Sequence, residues 1–310
     1  MQEESKAQAE EAAGVRALVL VSSGKLSERP DLSLALEVFE AAGWDVDLRA
    51  SRDLGKVMDE IAERGEVFDL LIAAGGDGTV RQVAGLAAKL EVPLGVIPLG
   101  TANDFARTLG LGFDVAAAAR TILPRRTAAV DLSTINGNCF LNVASIGLSE
   151  AVAENLTKER KRRWGGLSYA LALFDVLKAR RQFSVEIDCD GTANSLRSIQ
   201  VGVANGRYHG GGVEVSPSAR IDDGALRVYA IEPQPLGKLL VMALSTKLGA
   251  HDLWEGVRWF EGKRIEIKTK RAKRVSVDGD LIATTPLVVE VQHGALTVIV
   301  GEEFRSAARL

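Results

Sequence analysis

The sequence contains few of the residues from which disulfide frameworks and metal centres are built. It has 2 cysteines and 3 histidines in 310 residues, which excludes a disulfide-rich scaffold and a Cys-rich zinc site. No run approaches the roughly 20 apolar residues that a transmembrane helix requires. The 38 Lys and Arg residues are balanced by 41 Asp and Glu residues, so no overall basic excess points to nucleic acid, and we expect no nucleic-acid partner.

The composition of the first residues and the length of the chain predict a tail and two domains. Residues 1–14 are rich in Glu, Gln and Ala and lack the apolar segment of a signal peptide. We therefore expect these residues to form a flexible tail and the protein to be cytoplasmic. The length exceeds that of a usual single domain, which predicts two domains.

From Val15 onward, β-rich apolar runs alternate with helical segments. The strand-like runs lie at 17–21, 44–48, 68–74 and 94–97, and helical periodicity occurs at 34–41, where Asp31 is a candidate N-cap, and at 54–62 and 80–90. This order is typical of a parallel sheet with helices on its faces. We predict an α/β domain over residues 15–127.

After about Arg125, short alternating segments replace the long helices. They run from 128–132 to 296–300 and are mostly bounded by Gly, Asn or Asp, while helical stretches near 149–180 and 236–248 interrupt them. This texture predicts a second, mainly β domain over residues 128–310.

The first conspicuous motif lies between the apolar run 68–74 and the helical segment 80–90. It consists of Gly75, Gly76, Asp77, Gly78 and Thr79. Glycines after a buried strand let the backbone approach a phosphate, and the first N–H groups of the following helix attract an anion. A carboxylate beside a phosphate indicates a Mg²⁺ ion or an ordered water between them. A capped glycine-rich turn without a ligand is the alternative.

A second loop follows the next predicted strand in the same way. The segment PLGTANDFAR, residues 98–107, places Thr101 and Asn103 beside a glycine, and Asp104 suits a helix N-cap as well as a polar ligand. Because the two loops follow successive strands, we expect them to be neighbours in space.

Two further motifs lie in the predicted β domain. One contains the triple glycine 210–212 and ends in Asp222 and Asp223, which form either a turn or a site for a hard cation. In the other, Asp278 and Asp280 flank a glycine, a pattern that favours a hairpin but would also supply a general base. The residues alone do not decide between these interpretations.

Taken in order, the four motifs resemble those of the bacterial diacylglycerol kinase and sphingosine-kinase-like lipid kinase family. That family carries GGDGT, GTxNDFAR, a GGG segment followed by DDG, and DGE at similar spacing, and the resemblance covers about residues 15–300. GGDGT alone is shared with NAD kinases, whereas GTANDFAR followed by PSARIDDG is much more specific to the lipid kinases.

The resemblance implies both an activity and a fold. The activity is transfer of the γ-phosphoryl group of ATP, in the presence of Mg²⁺, to a lipid hydroxyl, with a diacylglycerol-like acceptor. The fold is an N-terminal α/β nucleotide-binding lobe with a parallel sheet and a β-sandwich-like C-terminal lobe, with the active site in the cleft between them.

The resemblance also implies which residues bind ATP. These are Ser51, Gly75, Gly76, Asp77, Gly78, Thr79, Gln82, Thr101, Asn103 and Asp104.

The resemblance further implies which residues bind metal ions and which take part in catalysis. Asp77 and Asp104 would hold the catalytic Mg²⁺ network, and Asp131 would link it to the second lobe. A second Mg²⁺ would be bound by the Asp223 carboxylate and by the carbonyl groups of Arg220 and Ala225. Asp280 would be the general base, with Asp278 as its neighbour, and Asp77 completes the predicted catalytic set.

Three positions depart from the family pattern. Of the usual NPxSG segment after the first strand only Ser23 and Gly24 remain, Gln82 replaces a Glu, and Asp280 replaces the Glu that serves as the base. Two other functions stay open on the sequence alone. One is an NAD kinase, although its Asn-Asn-Glu motif is missing, and the other is a non-catalytic nucleotide-binding regulator.

A lipid acceptor requires contact with a bilayer. The basic run from Lys158 to Trp164 is the best candidate for meeting anionic headgroups at the inner membrane face, and the segment 268–274 is a second basic stretch. A solvated surface is the alternative for both. A homodimer is also left open.

Overall fold

The computed structural model describes residues 14–148, 182–209, 213–214, 219–247 and 256–306. The chain divides into two compact units, unit 1 with residues 1–132 and 293–310 and unit 2 with residues 133–292. Several predicted features lie outside the described residues. These are the tail up to residue 13, the helical stretch near 149–180 with its basic run from Lys158 to Trp164, and the triple glycine 210–212.

Unit 1 contains a parallel sheet whose strands alternate with helices. The strands are β1 (Arg16–Ser22), β2 (Asp45–Ser51), β3 (Leu70–Gly75) and β4 (Leu94–Pro98), and the helices are α1 (Ser23–Glu28), α2 (Leu32–Ala41), α3 (Leu54–Arg64), α4 (Asp77–Leu90), α5 (Asp104–Thr108) and α6 (Val115–Ile122). The strand order is β2-β1-β3-β4, and each neighbouring pair is parallel. The predicted α/β architecture is confirmed.

Local sequence signals determine where several of these helices begin and end. The Asp53 carboxylate accepts the Lys56 N–H at the start of α3, and Gly65 ends that helix in the left-handed conformation. Asp31 occupies the N-cap position of α2 as predicted but makes no capping hydrogen bond. Its carboxylate instead accepts two hydrogen bonds from Arg29, at 2.6 and 2.9 Å.

Unit 2 is built from antiparallel strands. In chain order the remaining elements are β5 (Thr127–Ile135), β6 (Asn138–Phe140), β7 (Val143–Gly147), β8 (Phe183–Cys189), β9 (Thr192–Ser198), β10 (Gln200–Ala204), β11 (Tyr208–His209), β12 (Val213–Glu214), β13 (Leu226–Ile231), α7 (Leu236–Lys247), β14 (Val257–Gly262), β15 (Arg264–Thr269), β16 (Arg274–Val277), β17 (Asp280–Thr284) and β18 (Leu287–Ile299). The chain passes from unit 1 to unit 2 within β5 and returns within β18.

The strands of unit 2 form two layers over one apolar core. One layer has the order β18-β15-β8-β9 and the other β14-β13-β10-β7-β16-β17. Val185 and Ile265 from the first layer share a buried cluster with Val201, Val228 and Val275 from the second. This arrangement confirms the predicted β-sandwich-like fold.

The structure corrects several strand predictions. The segments 287–291 and 296–300 form one continuous strand, β18, and the segment 139–143 is split into β6 and β7. Strands β9, β14 and β17 were not predicted, because much of their side-chain surface is exposed and their sequences lack a clear apolar alternation.

Candidate active site

The carboxyl ends of the parallel strands bring the predicted nucleotide residues to one edge of the sheet. Ser51 pairs in register with Ser22, and Gly75 pairs with Pro98. The loops that leave these strands therefore start side by side. Ligands of open α/β sheets bind at this edge.

The first glycine loop has no space for side chains. A Cβ atom on Gly75 would lie 2.5 to 2.7 Å from the side chain of Thr79. Gly76 is the N-cap of α4, and no side chain caps this helix terminus. As a glycine, this N-cap offers no side chain that would accept the first N–H groups of α4, which is the arrangement that suits a phosphate.

The second glycine loop packs directly on the first. The Leu99 N–H donates to the Gly75 carbonyl oxygen at 2.9 Å. A Cβ atom on Gly100 would lie 2.6 Å from the Gly76 Cα, and a Cβ atom on Gly76 would lie 3.2 Å from the Gly100 Cα. The expectation that the two loops are neighbours is confirmed, and the contact depends on both glycines.

Asn103 holds the second loop in shape. Its backbone is left-handed, with φ 49°, and its side chain accepts the Gly100 N–H at 2.9 Å and donates to the Gly100 carbonyl oxygen at 3.0 Å. Thr101, at the loop tip, is exposed. Asn103 therefore shapes the loop, while Thr101 is accessible to a ligand.

Two carboxyl groups lie at the base of these loops. The Phe105 N–H donates to Asp77 Oδ1 at 3.2 Å, and Asp104 is buried. Burial raises the pKa of Asp77; the hydrogen bond from Phe105 opposes this change and the neighbouring Asp104 charge adds to it. A half-buried carboxyl beside a buried one favours a cation as a shared partner.

Gln82 and Ser51 make local contacts at the same edge. Gln82 is exposed on α4 and donates to the Gly78 carbonyl oxygen at 3.3 Å. The Ser51 hydroxyl forms a short turn with the backbone of Asp53, with distances of 2.9 and 3.0 Å. Both side chains lie where the motifs place them, and their roles in nucleotide binding stay predictions.

Asp131 is fully buried in β5. Its Oδ1 atom accepts the Gly294 N–H at 2.9 Å and lies 2.7 Å from Nδ1 of the exposed His293. Asp131 thus connects β5 to β18. Sequence reasoning missed His293, because 162 residues separate it from Asp131 and no motif surrounds it.

In unit 2 the Asp278-Gly279 pair forms the turn between β16 and β17. Both residues have positive φ angles, 49° and 94°, as a two-residue type I′ hairpin requires. The Asp278 carboxylate accepts hydrogen bonds from the N–H groups of Leu141, Asn142 and Val143, at 2.9, 2.8 and 3.2 Å. The turn interpretation is thus confirmed, and Asp278 additionally anchors the 141–143 loop. Asp280 begins β17 and is exposed.

Asn205, the residue after β10, binds the same loop. Its side chain donates to the Leu141 carbonyl oxygen at 3.0 Å and accepts the Ser133 hydroxyl at 2.8 Å. Its backbone N–H donates to the Asn142 carbonyl oxygen at 2.8 Å. Asn205 and Asp278, which are 73 positions apart in the chain, therefore both hold residues 141–143.

In the predicted second metal site, the Arg227 side chain contacts two of the predicted metal ligands. Asp223 accepts hydrogen bonds from Arg227 Nη1 and from the Ala225 N–H, at 3.0 and 3.2 Å, and the Ala225 carbonyl oxygen accepts from Arg227 Nη1 at 3.0 Å. Arg220 is half-buried. Within the described residues no group of three or more His, Cys, Asp or Glu side chains is placed to hold a metal ion.

Comparison with known proteins identifies the family. The model of the diacylglycerol kinase catalytic domain matches residues 16–135, and the model of the YegS C-terminal NAD kinase beta sandwich-like domain matches residues 142–300. A "Probable lipid kinase YegS-like" from Pseudomonas fluorescens is 33% identical over 299 residues, which are 93% of this chain and 96% of that protein. This chain belongs to the YegS-like lipid kinase family.

Solved structures agree with this assignment. A crystal structure from Bacillus anthracis is 29% identical, covers 94% of this lipid kinase and 96% of that chain, and superposes with a TM-score of 0.78. Another from the same organism, of a diacylglycerol kinase, is 28% identical, covers 93% and 97% of the two chains, and has a TM-score of 0.72. The protein is therefore a kinase, and the resemblance inferred from the motifs is confirmed.

No helix in the described parts of the chain is long and apolar enough to cross a membrane.

The contact between the two glycine loops can be tested by adding one methyl group. We expect Gly100→Ala to weaken ATP binding by about tenfold or more and to destabilise the fold by about 1–3 kcal/mol, because its Cβ would clash with the Gly76 backbone. Nucleotide titration calorimetry and urea unfolding would measure the two effects. Gly112→Ala is the matched control, since a Cβ atom there meets nothing within 4 Å. An unaltered ATP affinity in Gly100→Ala would contradict the role of this contact.

Proposed function

We propose that this lipid kinase transfers the γ-phosphoryl group of ATP to the hydroxyl of a diacylglycerol-like lipid in a Mg²⁺-dependent reaction. The observation that carries the proposal is the direct packing of the Gly75–Gly76 and Leu99–Gly100 loops in front of the uncapped start of α4. Backbone N–H groups in such a cradle bind phosphate without a side chain between them.

Asp77 and Asp104 are the residues that fit a divalent cation. Burial and the neighbouring Asp104 carboxylate raise the pKa of Asp77, which means that its ionised form is unfavourable. A cation beside Asp77 would stabilise that ionised form. When bound, Mg²⁺ would neutralise charge on the phosphates that the loops hold. The remaining ligands of the ion would come from ATP oxygens and water, as is usual for Mg²⁺.

The surroundings of Asp280 suit a lipid acceptor. Asp280 is exposed at the start of β17, and the next two residues, Leu281 and Ile282, are 39% and 45% exposed. An accessible carboxylate followed by accessible apolar side chains offers a proton acceptor beside a surface for acyl chains. We therefore assign the general base to Asp280.

Asp278 is better suited to positioning Asp280 than to proton transfer. Three backbone N–H groups from residues 141–143 donate to its carboxylate, so both carboxylate oxygens already have donors within the protein. The turn that Asp278 anchors determines where β17, and with it Asp280, begins.

Contact with anionic lipid is part of the proposal. The face formed by β8, β9 and β15 contains a groove of about 520 Å³, and its lining includes Arg197, Lys268 and Lys270. Lys268 and Lys270 belong to the basic stretch 268–274. Basic residues at a membrane surface contribute about 1 kcal/mol each through anionic headgroups.

The role of Asp77 can be tested with a variant that should be more stable than the parent protein but less active. The raised pKa means that the ionised carboxylate costs stability at neutral pH; this cost starts to fall as the pH drops through the folded-state pKa and is gone below the lower pKa of Asp in the unfolded chain. We expect Asp77→Asn to melt at a higher temperature than the parent protein at neutral pH, with a smaller difference at acidic pH. Activity should fall about a hundredfold or more.

Calorimetric melting in metal-free buffer across a pH series would measure the stability change. Asp59→Asn, at an exposed position on α3, is the matched control and should show no comparable pH-dependent gain. A neutral-pH melting temperature of Asp77→Asn below that of the parent protein would count against the assignment.

The roles of Asp280 and Asp278 can be separated by the same isosteric change. Asp280→Asn should lower kcat by about 10²- to 10⁴-fold without altering stability. Asp278→Asn keeps an acceptor for two of the three N–H groups and should stay within about tenfold of the parent activity, whereas Asp278→Ala should lose about 2 kcal/mol of stability. Steady-state kinetics would measure the changes in kcat, and urea unfolding would measure the changes in stability. If Asp278→Asn and Asp280→Asn both fold and lose kcat equally, Asp278 takes part in proton transfer and the assignment of a positioning role is wrong.

The acceptor can be identified with labelled ATP. We expect radiolabelled ATP and Mg²⁺ to give a labelled product with diacylglycerol vesicles and none when EDTA replaces Mg²⁺. A labelled product formed only with a sphingoid base or ceramide would show that the acceptor is not diacylglycerol. A labelled product formed only with NAD would replace the proposal by NAD kinase activity. The name of the C-terminal family model also refers to NAD kinase.

The same vesicles test the membrane contact. Sedimentation with phosphatidylglycerol vesicles at low salt should recover the enzyme, and high salt or neutral vesicles should release it. Binding that is indifferent to anionic lipid would refute the contact but not the kinase reaction.

A further inference from the structure

The Arg227 guanidinium makes a dense set of contacts in unit 2. Nη1 donates to Asp223 Oδ1 at 3.0 Å, and Nη2 lies 2.9 Å from Asp223 Oδ2. Nη1 also donates to the Ala225 carbonyl oxygen at 3.0 Å, and Nε lies 3.1 Å from a carboxylate oxygen of Glu261. The Arg227 and Asp223 side chains are only 14% and 18% exposed.

The oxygen atoms of Asp223 and Ala225 among these contacts are ones that the family resemblance assigns to a second Mg²⁺. The predicted ligand set contains one carboxylate, Asp223, together with the carbonyl groups of Arg220 and Ala225. Arg227 engages both oxygens of that carboxylate and one of those carbonyls. A divalent ion at this position would have to approach a guanidinium whose charge already balances Asp223, so the residues present do not fit a metal ion.

We propose that Arg227 is the built-in cation of this loop and takes the place of the second Mg²⁺. A planar guanidinium binds a carboxylate through two parallel N–H groups and keeps further donors for a carbonyl. Here it fastens the 220–225 segment to the start of β13, and Glu261 on β14 holds the guanidinium from the neighbouring strand. The loop is consequently independent of divalent cations. This inference does not depend on the proposed acceptor or on ATP.

Hydrogen exchange of the unmodified full-length protein gives the most direct test. The Ala225 N–H donates to Asp223, so its exchange reports on the loop. We expect peptides covering residues 219–226 to exchange at the same rate, within about twofold, in EDTA, in Mg²⁺ and in Ca²⁺. Slowing by either metal in the parent protein, abolished in Asp223→Asn, would overturn the inference.

Substitutions then test whether Arg227 supplies the cation. Arg227→Ala should speed exchange of the same peptides by about tenfold or more, because it leaves a poorly solvated carboxylate without its partner. Arg264→Ala is the matched control, since Arg264 also pairs with two carboxylates, Glu266 and Glu290, but at an exposed position. It should leave the 219–226 peptides unchanged.

A double-mutant cycle completes the experiment. If Asp223 and Arg227 act as one pair, the Asp223→Ala and Arg227→Ala variants should affect loop exchange to a similar extent, and the double variant should be no worse than either. Additive effects, or normal exchange in Arg227→Ala, would refute the pairing. Should a variant fail to fold, the metal series on the parent protein still decides the question.

Discussion

The edge of unit 1 at which we propose that ATP binds depends on the direct contact between two backbone loops. Gly76 and Gly100 lie so close that a single methyl group on either would press on the other. This proximity keeps the uncapped terminus of α4 beside the loop that Asn103 shapes. A phosphate-binding cradle made of backbone is strong because N–H groups cannot rotate away, but it requires that no side chain occupy the space.

The same contact creates an electrostatic cost. Asp77 is held by the Phe105 N–H near the buried Asp104, and its pKa rises because desolvation and a like charge outweigh that hydrogen bond. The fold therefore tolerates a charge arrangement that a cation beside Asp77 would relieve. Functional sites commonly keep such unfavourable charges, and the stability that they sacrifice is available for ligand binding.

In unit 2 the hydrogen bonds of one loop unite motifs that are far apart in the chain. Asp278 binds the N–H groups of residues 141–143, and Asn205 binds their carbonyl groups. The loop is therefore held from two sides, by a hairpin turn and by the residue that follows β10, and its geometry sets the position at which β17 starts. This explains how an Asp-Gly pair can be a simple hairpin turn and still determine where Asp280, the proposed base, stands.

The parallel strands of unit 1, its helices α2, α3 and α4, and the proximity of the two glycine loops were predictable from sequence alone, because apolar periodicity and caps act over a few positions and parallel strands end at one edge. The sequence left the Asp278 hairpin as one of two interpretations, and it did not predict the short helices α1 and α6. Polar strands such as β9 and β14 were also not predicted, since solvent exposure hides their alternation. Long-range partners were also beyond the sequence: Asp131 and His293 are 162 residues apart, and Asp278 and Leu141 are 137. Arg227 lies only four positions from Asp223, but the sequence did not predict that the two side chains form an ion pair. The pair forms because the chain turns into β13 between them. Local chemistry thus determined the elements and the motifs, whereas tertiary packing decided which charge each carboxylate would meet, because that choice depends on distances that residue order does not record.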